Sequence, residues 1–481
     1  MPQMVDIPIS GGFYQSDSPN ESNQTAINWR VNIPQTEGAL SNAGIVGSEG
    51  LTQMVTSGAS QNANRGSGTK DGIPYHLNGT TLYREERSVD GFGAESFTLV
   101  GLGTIAGTNR ASFASNGKQL IIVVEGLGWI MDESVSPTIT SITAPAFTSE
   151  GIPQQVVFID TYFVVTLSTE LAIRSTSNDG LSWSALNTFT AESNEDDIVA
   201  PAVLDKELLL LGTTTTEFLK NRGGEFQRTK VIEKGLLSPF GIANTGSSVM
   251  FVGAGATESP AIWEISGGSV RKISTTSLDL ILGRLTPEDI ETSIAYYYSK
   301  AGAFITGFTF KKRTFEYNSI TQRWNERSSK ITDARGLVLN TRWRVNSVVS
   351  AYNRIICADY IDGRIGELDP DVYDEYGGAI VRTLIPQPLQ NQGAAFSIPE
   401  IELTMEPGVG DATTDPIIRM SFSKDGEVFG NEIWRGIGKI GNRMRRTIWR
   451  RLGRFDRYAV LKFTMSDAVK PNIIMLRGRF K

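Results

Sequence analysis

Short apolar runs recur along most of this chain at nearly even spacing, and that recurrence limits the fold more than any other feature. They centre near Leu82 (T-T-L-Y), Leu120 (Q-L-I-I-V-V), Tyr162 (V-V-F-I-D-T-Y-F-V-V), Leu209 (E-L-L-L-L-G), Met250 (S-V-M-F-V-G), Phe304 (G-A-F-I-T-G-F) and Ile355 (R-I-I-C-A-D-Y). The intervals are 38, 42, 47, 41, 54 and 51 residues. Several runs are followed by a second strand and a turn, as at 170–175 and 313–317. A repeat of about 40–50 residues with four strands per unit is the signature of a β-propeller. Seven centres predict six to eight blades, with seven favoured. The 49 glycines among 481 residues fit a turn-rich, all-β chain.

Two local patterns support this reading. Thr176-Ser177-Asn178-Asp179-Gly180-Leu181-Ser182-Trp183 resembles an Asp-box hairpin, S/T-x-D/N-x-G-x-x-W. It predicts that the Asn178 side chain satisfies turn amides, that Gly180 takes a positive φ and that Trp183 packs beneath the hairpin. The stretch from Phe315 to Trp324 has a kelch-like order of aromatic strand, turn and Trp.

After Gly378 the rhythm changes to alternation. Ile401, Leu403 and Met405 share one face of a strand that carries Glu400, Glu402 and Glu406 on the other. Ile418, Met420 and Phe422 share a face, as do Ala459, Leu461, Phe463 and Met465, and Ile474, Leu476 and Phe480 follow. Period-2 alternation on four segments predicts a small antiparallel β-sandwich. Residues 443–452 read either way, since Ile440, Met444, Ile448 and Leu452 stand four apart as on a helix face. The bracketing Gly438, Gly441 and Gly453 favour strand over helix there. The expected division is an N-terminal segment over 1–55, a propeller over 56–377 and a sandwich over 378–481. The N-terminal segment either joins the sandwich or closes the propeller.

Charge is unevenly placed. From Arg435 to Lys481 there are 14 Lys and Arg against Asp456 and Asp467, a net of +12. The whole chain is −6, which leaves −18 on residues 1–434. A basic module on an acidic body points to a polyanion or an acidic protein surface as its neighbour.

The same tail carries a resemblance. Ser423-Lys424-Asp425-Gly426 before Trp434, then Gly438-Lys439-Ile440-Gly441, then Arg446-Thr447-Ile448-Trp449-Arg450-Arg451-Leu452-Gly453, resembles the C-terminal signature of the packaged-DNA stabilisation proteins of short-tailed phages, the tail hub or nozzle proteins. That pattern reads S-D-D-G-G-x-x-W, then W, L-G-x-x-G and R-x-x-W-R-R-L-G. The stretch from Ile401 to Gly408, the acidic segment from Asp359 to Gly377, Asn28-Trp29-Arg30-Val31-Asn32 and Ala43-Gly44-Ile45 resemble its other elements. Lys424 and the run Glu427-Val428-Phe429 depart from the turn pattern, and Ala43 replaces a Pro. The resemblance implies a homo-oligomeric ring, usually of six copies, below the portal and its adaptor ring. Such a ring continues the DNA channel, helps retain the packaged genome and docks tail fibres or tailspikes. The sandwich would be its platform.

On this reading Arg435, Lys439, Arg443, Arg445, Arg446, Arg450, Arg451 and Arg454 form a subunit interface or line a DNA channel. Interface is favoured, because each phosphate contact adds affinity and a channel must let DNA slide. Trp434 and Trp449 are expected to be packing residues.

Residue counts narrow the chemistry. Cys357 and His76 are each the only residue of their type. That removes disulfides, thiolate zinc sites and His-rich metal sites, and leaves nucleophilic triads only if His76 itself serves. The rival reading is a sialidase-like propeller glycosidase, which needs no His. The F/Y-R-I-P motif of those enzymes is missing, so no enzyme activity is expected. The acidic run Asp359, Asp362, Glu367, Asp369, Asp371, Asp374 and Glu375 has no EF-hand spacing and reads as a solvated hairpin before a Ca²⁺ site. The stretch from Gly253 to Gly268 lacks G-K-[S/T] and reads as blade turns. No cofactor is expected. The N-terminus has no basic, apolar leader and no apolar run approaches about 18 residues. Synthesis in a host bacterial cytoplasm and residence in the virion tail, without membrane insertion, are the corresponding expectations.

Overall fold

A computed structural model describes residues 4–18, 22–34, 36, 38–58, 62–136, 138–191, 196–300, 302–332, 335–410 and 412–481. Seven blades of four antiparallel strands succeed one another around a ring. Their innermost strands are Asn64–Lys70, Ser112–Ser115, Pro153–Ile159, Ile198–Leu204, Ile242–Asn244, Ile294–Lys300 and Val345–Ala351, each touching the next and the last touching the first. Six of the seven apolar runs are the second strand of a blade; the run at Leu82 is the third strand of the first blade. Those second strands are apolar at their centres because neighbouring blades cover both faces. Leu120–Val124 and Leu208–Leu211 are buried at every residue. Between the fourth and fifth blades, Leu209, Leu211 and Phe218 pack on Val249, Phe251 and Ile265.

The chain's front strands serve both parts of the molecule. Gly50–Thr56 lies antiparallel to Arg364–Asp369 as the outer strand of the seventh blade. Met4–Ile7 pairs with Asn472–Arg479, and Trp29–Asn32 joins the same sandwich sheet through Gly44–Gly47. Asn23–Ile27 sits between Arg323–Thr332 of the sixth blade and Arg382–Ile385 of the sandwich, so one hydrogen-bonded sheet runs through both. Asn28 pins this seam. It adopts a φ of 58°, its Nδ2 donates to the carbonyls of Ser328 (3.0 Å) and Val381 (2.8 Å), and its Oδ1 accepts from Ser328 N–H (3.0 Å).

The sandwich core gathers Trp29, Ile45, Ile401, Leu403, Ile418, Met420, Trp449, Leu461, Phe463 and Met465. Two details differ from the alternation in the sequence. Ile473, not Ile474, faces the core with Leu476, because a bulge opposite Thr404 and Met405 inserts one residue and rephases the strand. Within 443–452 only Thr447–Arg450 is a strand. Residues 440–446 form an exposed loop with Ile440 66% and Met444 91% accessible, since Gly438 and Gly441 take positive φ and break the ladder.

The Asp-box also differs in detail. Asn178 itself takes the positive φ of 56°, and the Asp179 carboxylate accepts Leu181 N–H at 3.0 Å. Gly180 is needed for space, because a Cβ there would lie 2.5 Å from Ile130 Cδ1. Trp183 packs as expected, its Nε1 donating to the Gly180 carbonyl at 2.7 Å and its ring 4.9 Å from Phe147. Trp324 closes the kelch-like segment, buried and donating to the Ile273 carbonyl at 2.9 Å.

Candidate functional site

The basic residues of the tail are spread over both sandwich sheets and their connections, with Arg435 on Ile433–Gly436 of one sheet and Arg450 on Thr447–Arg450 of the other. All eight singled out in the sequence are exposed, but they divide into two groups. In the first, the charge is used within the chain. Arg446 makes a two-pronged pair with Glu402, Nε to Oε1 and Nη2 to Oε2 both at 2.7 Å. Arg450 Nε donates to Glu400 Oε2 at 2.9 Å. The geometry follows from register, since Glu402 and Glu400 stand opposite Ile448 and Arg450 on adjacent strands. Both glutamates lie on the outward face noted in the sequence, and the Arg446 guanidinium lowers the Glu402 carboxyl below the usual range. Arg435 donates to the Ile448 carbonyl at 2.8 Å, Arg445 to the Gly436 carbonyl at 3.3 Å, and Arg454 lies 3.8 Å from Asp456.

In the second group, Lys439, Arg443 and Arg451 have no side-chain partner among the described residues. Arg451 is held at a φ of 61°, its N–H bonded to the Pro399 carbonyl at 2.9 Å. Lys439 and Arg443 belong to the 437–446 loop that exposes Ile440 and Met444, whereas Arg451 lies beyond the far end of the Thr447–Arg450 strand. Trp434 adds to the exposed apolar side chains. It is 59% exposed, whereas Trp449 is fully buried. The expectation that both are packing residues fails for Trp434 because Ile433–Gly436 is the sheet's edge strand, paired only with Ile417–Ser423. The sequence flagged the charges but not the apolar side chains among them, whose i, i+4 spacing suggested burial.

The turn before that edge strand is tightly built despite its departures from the family pattern. Asp425 Oδ1 accepts from the Ser423 hydroxyl (2.7 Å) and from the N–H groups of Glu427 (2.9 Å) and Val428 (2.8 Å), while Gly426 takes a φ of 85°. These bonds, the Ser423 hydroxyl first, hold the carboxyl down at about 2. A lowered folded-state value means the turn is favoured above the unfolded carboxylate value near 3.9 and loses that support as pH falls toward about 2. The amide resonances of Glu427 and Val428 should therefore titrate with a midpoint of about 2 and lose that step in Asp425→Asn. A midpoint near 4 would show that the turn does not hold the carboxylate.

The acidic run at 359–375 is compensated internally. Asp359 pairs with Arg344, Asp362 with Arg364 and Glu367 with Arg354. Glu375 accepts Trp343 Nε1 at 3.0 Å, and Asp369 and Asp374 cap the N–H groups of Asp371 and Gly377. Among the described residues no three His, Cys, Asp or Glu side chains converge as a metal site.

His76 is fully buried at the start of the propeller, with Nδ1 2.8 Å from Ser67 Oγ and Nε2 3.1 Å from Glu85 Oε2. The three side chains have the composition of a nucleophilic triad, but the protons run the wrong way. Ser347 Oγ donates to Asn64 Oδ1 at 2.6 Å, so in the 2.7 Å contact between Ser67 and Ser347 the donor is Ser67. Asn64 Nδ2, which also donates to the Gly66 carbonyl and Asn78 Oδ1, fixes that amide's orientation. Ser67 thus accepts from the imidazole and has no proton to give it, the reverse of general-base activation. The cluster instead ties the first blade to the seventh, together with the Asn346 Nδ2 bond to the Asn64 carbonyl at 2.6 Å.

Among the described residues no helix is long and apolar enough to cross a membrane. Family models described as bacteriophage P22 Gp10 match both parts of the chain, the β-propeller over residues 5–373 and the β-sandwich over 382–480. The tail hub protein gp10 of Salmonella phage P22 is 21% identical over 282 residues, which is 56% of this chain and 57% of that protein. The match therefore spans little more than half of the relative's length. Among solved structures, the WD40 β-propeller domain of Doa1 aligns with 67% of this chain and 98% of its own, at 10% identity and a TM-score of 0.41. The N-terminal domain of Nup159 aligns with 70% and 97%, at 13% identity and a TM-score of 0.39.

Proposed function

We propose, for a chain that belongs to the bacteriophage P22 Gp10 family of β-propeller and β-sandwich proteins, that it is a structural hub protein of a short phage tail. Its copies form a ring, of six by family resemblance, below the portal adaptor. The ring continues the DNA channel, holds the packaged genome in place and presents the propellers for docking of fibres or tailspikes. Its place is the virion tail, after synthesis in the bacterial cytoplasm. The working division is a propeller over about 56–377, completed by Gly50–Thr56, and a sandwich over about 378–481, completed by Met4–Ile7, Trp29–Asn32 and Gly44–Gly47. The role is one of assembly, and the reversed proton order at Ser67 argues against a nucleophilic triad built on His76.

One observation carries this reading: the 437–446 loop and the strand before it expose Trp434, Ile440 and Met444 in one stretch of chain with the unpartnered Lys439 and Arg443. Exposed apolar side chains interspersed with cations fit a protein surface bearing carboxylates better than a channel wall. Buried apolar centres with a charged rim are the ordinary construction of protein interfaces. Residues 1–434, at −18, supply acidic surface on any neighbouring copy. The paired Arg446 and Arg450 contribute a fixed, charge-balanced flank beside it.

Negative-stain microscopy and native mass measurement of the purified chain test the reading directly. Closed rings at low ionic strength, loosening as salt rises, are expected. A monodisperse monomer at tens of micromolar in low salt overturns the ring.

A further inference from the structure

One mouth of the propeller's axial channel opens into a cavity of about 580 Å³. Its wall includes Arg110, Gln155, Phe240, Ser67, Ser112 and Ser347, and among the described residues no Asp or Glu lines it. Arg110 precedes the innermost strand of the second blade. Its Nη1 donates to the Asn346 carbonyl at 2.8 Å, and its guanidinium carbon sits 5.3 Å from the centre of the Phe240 ring. Its Nε is enclosed without a partner, and Nη2 has no acceptor among the described residues. Three other enclosed arginines are compensated, Arg30 by Glu49, Arg344 by Asp359 and Arg65 by the carbonyls of Asn109, Gly79, Ile105 and Ala106, whereas Arg382, like Arg110, has an unpartnered Nε but lies outside this cavity.

A second group shares the wall unpaired. Gln155 is 8% exposed, and its side-chain amide has no hydrogen-bond partner among the described residues. A cavity with one cation, an idle amide donor and no carboxylate, in a chain of net charge −6, is built for the charge it lacks. Arg342 adds to the local field, donating to Oδ1 of the same Asn346 at 3.4 Å. Burial, with Arg342 nearby, pushes the Arg110 guanidinium down to about 10, a cost that a bound anion removes.

We infer that this mouth of the channel is a binding site for a small anion bearing a carboxylate or a phosphate, gripped by the Arg110 guanidinium and oriented by the Gln155 amide. The guanidinium fork suits both groups. The volume falls within the range of small-molecule sites, about 300–1,000 Å³. The site is independent of the tail role, because it lies in the propeller away from the basic tail.

The test is calorimetric titration of the full chain with inorganic phosphate and, separately, with glutarate, against potassium chloride at matched ionic strength. One saturable site per chain is expected. Saturation by phosphate alone assigns the phosphate class, by glutarate alone the carboxylate class, and either result supports the site. Arg110→Gln should weaken binding about tenfold or more, and Gln155→Leu by a smaller factor. Without ligand, Arg110→Gln should melt at or above the wild-type temperature, since it removes an uncompensated charge. Absence of saturable binding by both anions, or unchanged binding in Arg110→Gln, overturns the site. So does a lower melting temperature of Arg110→Gln in a chain that binds neither anion, which would make Arg110 a structural residue.

Discussion

Truncating Trp449 to alanine should destabilise the sandwich by about 3–5 kcal/mol, while the same change at Trp434 should move its stability by about 0.5 kcal/mol or less. The two tryptophans lie fifteen positions apart in one basic segment, and only their strand positions separate them. Trp449 is fully enclosed, its ring 5.5 Å from Phe463 and its Nε1 donating to the Ile433 carbonyl at 2.8 Å. Removing it opens a cavity between the two sheets and orphans a carbonyl. Trp434 stands opposite Arg419 on an edge strand and packs against little. Urea titrations read by a probe in the sandwich would show the difference as a midpoint shift in Trp449→Ala alone. Equal shifts would mean that Trp434 is as well packed as Trp449.

The same contrast shows what the sequence disclosed and what it hid. The blades were legible because each second strand is covered on both faces, which leaves continuous apolar runs such as Leu208–Leu211 at a regular interval. The sandwich was legible where one sheet face is wet, as at Ile401, Leu403 and Met405 against Glu400 and Glu402. Pattern reasoning failed where tertiary context changes the phase or removes a partner. The bulge at Ile474 shifts the alternation by one residue. Met444 and Ile440 carry a helix-like spacing, but glycines turn the chain there and leave both in solvent. The ion pairs from Arg446 to Glu402 and from Arg450 to Glu400 were hidden for another reason, since each spans more than forty residues and depends on register. The Arg110 cavity had no signal in the sequence at all. It exists only because seven blades bring residues as distant as Arg110, Gln155 and Phe240 to one axis.

That pairing changes how the basic tail must be tested. Reversing Arg446 and Arg450 would set glutamate against Glu402 and Glu400 and disturb the sheet locally, so lost assembly would be ambiguous. The unpartnered residues give a cleaner result. Arg443→Glu with Met444→Asp should leave melting unchanged within about 0.5 kcal/mol, because both side chains are exposed. The same pair of changes should abolish ring formation. Burying a side chain of methionine size contributes about 1.5–3 kcal/mol. A loss of about 3 kcal/mol weakens each contact more than a hundredfold, and a closed ring repeats that loss at every interface. Virions made with this variant should package DNA and then leak it. A charge exchange completes the test. Glu400→Arg and Glu402→Arg combined with Arg446→Glu and Arg450→Glu restores the pairs inside the chain with the signs inverted. If those arginines serve only their own sheet, the exchanged protein assembles as the wild type does; if they face a neighbour, it folds and stays monomeric. Rings of normal stability from the Arg443→Glu, Met444→Asp chain would reduce the exposed loop to a solvated surface and remove the observation on which the assembly role rests.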